Sequence, residues 1–389
     1  MKHILWLASW YPDEMDAYNG DFIQRHARAV ALHMPITVIY VTQLGPEVAV
    51  PEEKILKHTE GNLTEIRIYF SHTNAGSGLL QRVPYNWKYF FHFRRFMRQY
   101  IKEKGKPDIV HVHIPMKSGR IALWLQKKFG ISFIVTEHSS AYFPEVPDSF
   151  DKRNAYYRKS VEAIFSNAIA VTTVSQQLAE RLKELFGIKN MHIVSNVANT
   201  DYFHYKPINI PVFRFLHAST MNHPKNVEGI LRALKELKDQ RTNWECVMLG
   251  WDTPELRELS MQLGLDGHVI WKGIVSYDQV AVEMQHASAL LMFSRYESQG
   301  CVILEALCCG LPVIATRVGG IPEMMNDHNG ILVENENEEQ LLQAMLQCMD
   351  QYNKFDRAAI AQQAQSRFSY EAVGKEFVDL YRRATSYEL

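Results

Sequence analysis

The chain has 389 residues, 47% apolar and 22% charged, which suits two globular domains of roughly 100 to 200 residues each and excludes a disordered, collagen-like or disulfide-framed chain. Its net charge of −1 conceals two unlike halves: residues 1–200 carry 25 Lys and Arg against 18 Asp and Glu, whereas residues 201–389 carry 17 against 25. All five cysteines (Cys246, Cys301, Cys308, Cys309 and Cys348) lie in the second half at spacings that match no zinc or dithiol-redox pattern, so they read as reduced, buried thiols and suggest a cytoplasmic address.

The opening MKHILWLASWYP has too short an apolar run and the wrong flank for a cleavable signal, and it reads as a first strand. No uncharged apolar stretch approaches the roughly 18 residues that span a bilayer, so any membrane contact is expected to be peripheral. Short β-branched and aromatic runs then alternate with amphipathic ones, the signature of parallel strands joined by crossover helices. The pattern predicts strands near 3–9, 35–41, 64–70, 108–114, 131–136, 168–174 and 191–195 in the first half. In the second half it predicts strands near 213–219, 244–249, 268–273, 288–293, 312–316 and 330–333. Helices are expected between them, among others over 21–33, 87–104, 225–239, 276–286, 301–309, 337–350 and 370–384.

Gly20 opens the first of these helices and is a candidate for close approach of a ligand at the end of the first strand and its loop. Residues 81–106 carry eight Lys and Arg against one Glu, interleaved with eight Trp, Tyr and Phe. Such a segment is either a basic helix with an ordinary buried face or one that lies on an anionic bilayer. His111 and His113 share one strand face but have no third ligand at a fixed spacing that would make them a metal site. His138 follows the strand at 131–136 and stands at its carboxyl end, where an imidazole is suited to proton handling or to hydrogen-bonding developing charge.

The segment 202–212, with two prolines and no helical period, falls where the charge balance changes sign, and the domain linker is placed there. Two doubly wound βαβ domains facing one another result, 1–205 and 206–369. Ligands in such sheets sit beyond the carboxyl ends of the strands, so an inter-domain cleft is the expected site.

In the second domain Lys225 is expected at the start of the helix that follows the strand 213–219. A cation there opposes the helix dipole unless an anion lies between its ammonium and the N-terminal amides. The stretch 294–312, SRYESQGCVILEALCCGLP, is the most informative. Between Glu297 and Thr316 the one ionisable carboxylate is Glu305, on a helical face whose neighbours are Cys301, Val302, Cys308 and Cys309. A carboxylate buried there needs hydrogen-bond donors, which a ribose, a backbone group or Arg317 could supply. Gly300 opens that helix and leaves its amides accessible to a diphosphate, and Glu297, in the loop before it, could accept sugar hydroxyls. Gly-x-Gly-x-x-Gly, Walker, His-Glu-x-x-His and Asp-x-Asp motifs are absent from the sequence, which removes support for a dinucleotide enzyme, an ATPase, a zinc hydrolase and a divalent-metal site of that type.

On these residues the chain resembles the retaining glycosyltransferases of family 4, which have the GT-B fold of two facing Rossmann-like domains. Glu297 and Glu305 match that family's Glu-x7-Glu motif, continued by Ala306, Gly310, Pro312 and Val313 and by Gly319-Gly320-Ile321-Pro322-Glu323. The stretch 107–138 resembles the segment that ends in the family's active-site His, and Asn196 and Phe203 fit the segment before the linker. Lys225 falls on its phosphate-binding Lys and Gly20 on its first glycine loop; Thr220 stands where an Arg is usual, and Val197 where a Gly is.

The resemblance implies that Lys225 and the amides near Gly300 and Cys301 hold the diphosphate. It also implies that Glu305 binds the ribose and Glu297 the sugar, that Gly273, Ile274 and Val275 frame the base, and that Gly20, Ser298 and Val302 belong to the same donor site. His138, Glu297 and Lys225 are the implied catalytic residues, with no metal and no cofactor beyond the UDP- or GDP-linked sugar. The helix at 370–389 is implied to pack back on the first domain. The activity so implied is metal-independent, retaining transfer of a hexosyl-type sugar to a glycan or lipid-linked acceptor in cell-envelope polysaccharide or lipopolysaccharide synthesis. It would take place in the cytoplasm or at the inner face of the cell membrane, with no nucleic-acid partner. A nucleotide-sugar epimerase, a glycoside hydrolase and a catalytically silent nucleotide-sugar binder are the competing readings.

Overall fold

In this computed structural model residues 3–44, 53–71, 79–209 and 211–386 are described, the side chains of 79–83 and 385–386 excepted. Ile210 of the expected linker, the last three residues of the expected 370–389 helix and the side chains of 81–83 in the basic segment therefore lie outside the described residues. The chain divides into two compact units, Met1–Val174 with Ala179–Ser195 and Val373–Leu389, and Ser175–Leu178 with Asn196–Ala372.

The first unit starts with β1 (Ile4–Ala8), α1 (Asp21–Ala31), β2 (Ile36–Gln43), β3 (Glu53–Glu60), β4 (Leu63–Phe70) and α2 (Leu79–Lys104). It continues through β5 (Ile109–His113), α3 (Ser118–Phe129), β6 (Phe133–Glu137), α4 (Ala155–Asn167), β7 (Ala170–Thr173), α5 (Gln176–Phe186) and β8 (Met191–Ile193). Its strands lie in the order β3-β4-β2-β1-β5-β6-β7-β8, parallel except for the antiparallel β3–β4 pair. Strands covered on both faces have no reason to alternate polar and apolar residues, and β1, β5, β6 and β7 are buried at every position.

β3 is the strand that the sequence pattern misses. Its residues, EKILKHTE, are mostly exposed, and an edge strand guarded by charges lacks the apolar run by which the others are recognised.

The second unit runs β9 (Phe213–Ser219), α6 (Val227–Lys238), β10 (Trp244–Gly250), α7 (Pro254–Gln262), β11 (Val269–Gly273), α8 (Tyr277–Gln285) and β12 (Ala289–Met292). Then come α9 (Cys301–Cys308), β13 (Val313–Thr316), β14 (Gly330–Val333), α10 (Glu338–Asp350) and α11 (Arg357–Phe368). Its six parallel strands lie in the order β11-β10-β9-β12-β13-β14. Neighbouring strand residues point to opposite faces. Phe215, Cys246, Met248 and Leu291 therefore join α6 and α10 in one core, while Leu216, Val247, Leu249 and Leu290 join α8, α9 and α11 in the other. Cys246, Cys308, Cys309 and Cys348 are buried, Cys301 is partly exposed, and none of the five is in a disulfide.

The crossing from the first unit to the second falls between Ser195 and Asn196, ten residues ahead of the 205/206 boundary read from composition. Residues 196–205 are tied into the second unit: the Ala198 amide donates to the Phe368 carbonyl, and Phe203 is fully buried with its ring 4.8 Å from that of Tyr277. The prolines that marked the linker follow this anchored stretch.

The last helix, α12 (Tyr370–Ser386), belongs to the first unit from Val373 onward. Its Tyr381 hydroxyl lies 2.9 Å from Trp6 Nε1 and 2.7 Å from His111 Nδ1. The indole N–H donates to this hydroxyl. His111 Nε2 is hydrogen-bonded to Thr136 Oγ1 at 2.6 Å, and Thr136 is bonded to Thr172. His111, considered from sequence as one of a metal-binding pair, spends both ring nitrogens in this chain of bonds.

Candidate active site

In a doubly wound sheet the point where strand order reverses leaves a crevice beyond the carboxyl ends of the two strands that flank it. In the second unit those strands are β9 and β12. Lys225 lies in the loop that leaves β9, and Ser294 to Gly300 make the loop that leaves β12. The two loops meet, because Lys225 Nζ is ion-paired and hydrogen-bonded to Glu297 Oε1. Glu297 is buried and also accepts from the Ser294 hydroxyl at 3.1 Å, while the Ser294 carbonyl is held by Thr316 Oγ1 at 2.6 Å.

Lys225 does not begin α6, as the sequence pattern led one to expect. It ends a 3₁₀ turn, His223–Lys225, and is followed by Asn226 in the left-handed region (φ 47°), whose side chain caps α6 by accepting from the Gly229 amide. The cap satisfies one of the helix's free amides, and the lysine stands ahead of the helix, in reach of Glu297. Arg295 braces the turn: it donates from its backbone N to the Pro224 carbonyl at 2.8 Å and from Nη1 to the His223 carbonyl at 2.6 Å. It also pairs with Glu228 and Glu336. Arg295 is a positioning residue that sequence reading missed, although it lies two residues before Glu297.

On β9, the His217 ring donates from Nδ1 to the Leu291 carbonyl at 2.9 Å and accepts at Nε2 from the Ser219 hydroxyl at 2.7 Å. Ser219 Oγ in turn accepts the Met221 amide, so the root of the Lys225 loop is fixed by a buried imidazole. Burial, aided by the Lys225 charge and opposed by the bond to the Leu291 carbonyl, lowers the pKa of His217 to about 4.

Gly300 precedes α9 with φ 87°, and the N-terminus has no side-chain cap. A Cβ at Gly300 would lie 3.3 Å from Ile303 Cδ1 and 4.0 Å from Glu297 Cδ, which places the opening turn of α9 beside the Lys225–Glu297 pair. This is the combination of cation and helix N-terminus that favours an anion. Cys301 and Val302, in the first turn, are each partly exposed, as is Ser298.

Glu305 is buried on α9, and its Oε1 accepts from the Tyr277 hydroxyl at 2.8 Å. This tyrosine on α8 is thus a partner within the protein, whereas Arg317 pairs with Glu334. Gly273, Ile274 and Val275 connect β11 to α8 just ahead of Tyr277, with Ile274 exposed and Val275 packed against the core.

The first unit holds Gly20 and His138. Gly20, φ 67°, precedes α1, and a Cβ there would come within 2.6 Å of the Trp10 backbone. The glycine is thus required by a close approach inside the chain. His138 follows β6 and is buried; its ring lies 4.7 Å from that of Phe22, the second residue of α1.

His138 Nε2 is 3.3 Å from His113 Nδ1, and His26 completes a trio whose ligand atoms all lie within 4.8 Å of one another. Among the described residues this is the one group of three that could hold a metal ion. His26 Nε2 is spent on the Ser195 carbonyl at 2.9 Å. Burial lowers the pKa of His26 to about 4 and holds that of His113 well below the ordinary imidazole value, so both are neutral near pH 7. Beside them Glu137 is fully enclosed and its pKa is pushed up to about 7 by burial, even though it accepts from the His138 and Ser139 amides and the Tyr142 hydroxyl.

The family model described as Glycosyltransferase Family 4 matches residues 34–202, and the one described as Glycosyl transferases group 1 matches residues 206–367. The chain is 25% identical over 369 residues to a putative teichuronic acid biosynthesis glycosyltransferase, TuaC of Bacillus subtilis, covering 88% of both chains. Among solved structures, sucrose-phosphate synthase of Thermosynechococcus elongatus superposes with a TM-score of 0.79 at 19% identity, over 99% of this chain and all of the other. HepE of Anabaena, solved with UDP, gives a TM-score of 0.73 at 15% identity over 98% of this chain and all of that one; it has also been solved with UDP-glucose. The two structures share the GT-B fold with this chain. With the paired models together matching both halves, the chain belongs to the family 4, group 1 glycosyltransferases.

Proposed function

We propose that the chain transfers a sugar from a UDP- or GDP-linked donor to a glycan or lipid-linked acceptor, with retention of anomeric configuration and without a metal. The observation that carries this reading is the Lys225–Glu297 pair beside the glycine-led N-terminus of α9, on the two loops that flank the switch point of the second sheet. When the bond between the anomeric carbon and the diphosphate oxygen breaks, the electron pair leaves with the phosphate and the sugar becomes oxocarbenium-like. The Lys225 ammonium and the amides near Gly300 and Cys301 are placed to take up that negative charge.

Glu297, relieved of Lys225 when the diphosphate arrives, would accept sugar hydroxyls. Glu305 and Tyr277 would meet the ribose, and Gly273 to Val275 the base. The acceptor oxygen would attack from the face the diphosphate leaves and pass its proton to the departing phosphate oxygen. His138, Gly20, Ser298 and Val302 complete the proposed set. HepE, solved with UDP and with UDP-glucose, and TuaC, named for teichuronic acid biosynthesis, support a nucleotide sugar as donor and a cell-envelope glycan as product. The proposed setting is the cytoplasmic face of the cell membrane, reached by peripheral contact through 81–106; no described helix is long and apolar enough to cross a bilayer.

Incubation with a panel of UDP- and GDP-sugars tests the reading through release of nucleoside diphosphate, slow with water alone and fast with acceptor. Conversion of the donor to an epimer, or binding with no release, would assign the chain to the competing classes.

A further inference from the structure

Helix α2 runs from Leu79 to Lys104 and has two unlike faces. Tyr89, Phe93, Met97 and Tyr100 are buried in the first unit. Opposite them Pro84, Trp87, Phe91, Arg95, Arg98 and Lys102 are all exposed, at spacings of three and four that sum to five turns and about 27 Å of helix. The stripe is apolar at its N-terminal end and cationic at its C-terminal end, and it contains no acid. Trp87 is 65% and Phe91 46% exposed, and their rings stack at 5.3 Å with 10° between planes. Two large aromatics thus share one unpartnered patch, an arrangement that marks a surface meant to be covered.

A second observation stands beside the first. Arg94, Arg98 and Lys128 lie over the Trp124 ring of α3, and Arg94 and Arg120 lie over Phe90. Among the described residues none of these four cations is paired with a carboxylate. Burial, and after it repulsion from Arg120 and Arg98, lowers the pKa of Arg94. Arg95, by contrast, is neutralised by Glu53. Cations gathered on aromatic faces without counter-charge call for an anion from outside.

We propose that this face of α2 and α3 docks on a bilayer containing anionic phospholipid, Trp87 and Phe91 entering the headgroup boundary while Arg94, Arg98, Lys102, Arg120 and Lys128 meet lipid phosphates. A bilayer fits both halves of the stripe at once, since interfacial helices join a bulky apolar edge to a basic one and tryptophan favours the headgroup level. The inference deepens the reading of a lipid-linked acceptor, but it concerns adhesion, which is measured apart from sugar transfer.

The test is co-sedimentation of the full chain with phosphatidylcholine vesicles with and without about 30% phosphatidylglycerol, at low salt and at about 0.5 M salt, where the Debye length has shrunk to a few ångströms. Binding is expected on the anionic vesicles at low salt, and it should weaken about fivefold for each cation removed in Arg98→Gln and Lys102→Gln. Trp87→Ser with Phe91→Ser should lower binding at least as far, and brominated lipid should quench wild-type fluorescence more than that of Trp87→Phe. All four substituted residues are exposed, so the variants should unfold at the wild-type temperature. Failure to bind anionic vesicles at low salt, equal binding to neutral ones, or a wild-type dimer that Trp87→Ser/Phe91→Ser dissociates would overturn the proposal. Because nucleoside diphosphate release is assayed in solution, sugar transfer stands or falls separately.

Discussion

Replacing Lys225 with Met keeps the alkyl stem and deletes the charge. The lysine side chain is 20% exposed and that of its partner Glu297 10%, so the pair is screened less than a surface ion pair. Two effects follow, and they separate. Stability should fall by about 1 to 3 kcal/mol, the cost of leaving a buried acceptor short of a partner, softened because Ser294 still donates to Glu297. Turnover should fall by about 10² to 10³, or 2.7 to 4 kcal/mol, the usual loss when one preorganised donor to a developing anion is removed.

The double variant Lys225→Met/Glu297→Gln distinguishes the two effects. Removing both charges should recover most of the stability, as double-mutant cycles do for coupled partners, yet turnover should not return. The assay is steady-state release of UDP or GDP with the preferred donor, at substrate concentrations that separate kcat from KM, beside urea unfolding of each variant. Near-normal turnover in Lys225→Met, or turnover rescued in the double variant, would show that the pair only holds two loops together, and Lys225 would leave the site.

Gly300→Ala would force a Cβ onto φ 87° and within 3.3 Å of Ile303 Cδ1, costing about 1 to 3 kcal/mol of strain. Calorimetric affinity for UDP or GDP should fall with it, and an unchanged affinity would take the α9 N-terminus out of the donor site. Tyr381→Phe strips the bonds to Trp6 Nε1 and His111 Nδ1, so the first unit should lose about 2 kcal/mol or more, read from the urea midpoint at constant slope.

Acidification should destabilise the chain. The pKa values of His26 and His217 are lowered to about 4 and of His111 to about 3, and that of His113 is held well below the ordinary imidazole value, all chiefly by burial. The unfolded chain therefore takes up protons below about 6.5 that the folded chain refuses, and the stability these four contribute is complete above that pH and lost toward 4, by about 2 kcal/mol at pH 5 for each of His26, His217 and His111. Glu137, with its pKa raised to about 7, works in the opposite sense: its contribution is present below the ordinary carboxylate range and lost as pH rises through 7. One group against four leaves a net loss on going from pH 7.5 to 5, so a urea midpoint that stays level or rises would refute the burial argument.

The strands were legible because parallel sheets covered on both faces write themselves as short apolar runs, and every strand expected from sequence is present. β3 escaped because an exposed edge strand reads as a charged loop. Lys225, Glu297, Gly300 and Glu305 were visible as oddities, charges or a glycine set against apolar surroundings. Their partners were not. Tyr277 reaches Glu305 from 28 residues away, and no local period announces it. Arg295 looked like any loop arginine, and its role depends on the carbonyls of His223 and Pro224, in a turn 71 and 72 residues earlier in the chain. The unit boundary was displaced for a related reason: composition sees the prolines beyond Tyr205, whereas packing is decided by Phe203 and the Ala198 amide.

One winding rule accounts for where the candidate residues stand in both units. In the second sheet the order reverses between β9 and β12, and the loops leaving those two strands carry Lys225 and Glu297. In the first sheet it reverses between β1 and β5; the loop leaving β1 ends at Gly20, β5 ends at His113, and its neighbour β6 leads into His138. His26 reaches the same point from α1, whose entry Gly20 fixes by its φ of 67°. Each sheet thus leaves a gap at its reversal point, because the helices on either side of that point run to opposite faces. The residues that fill the gap come from segments distant in sequence. A single-sequence reading recovers the member that offends its local surroundings, as Lys225 or Glu305 does, and passes over those that do not, as His26 and Tyr277 do. The second kind became visible when strand order was known.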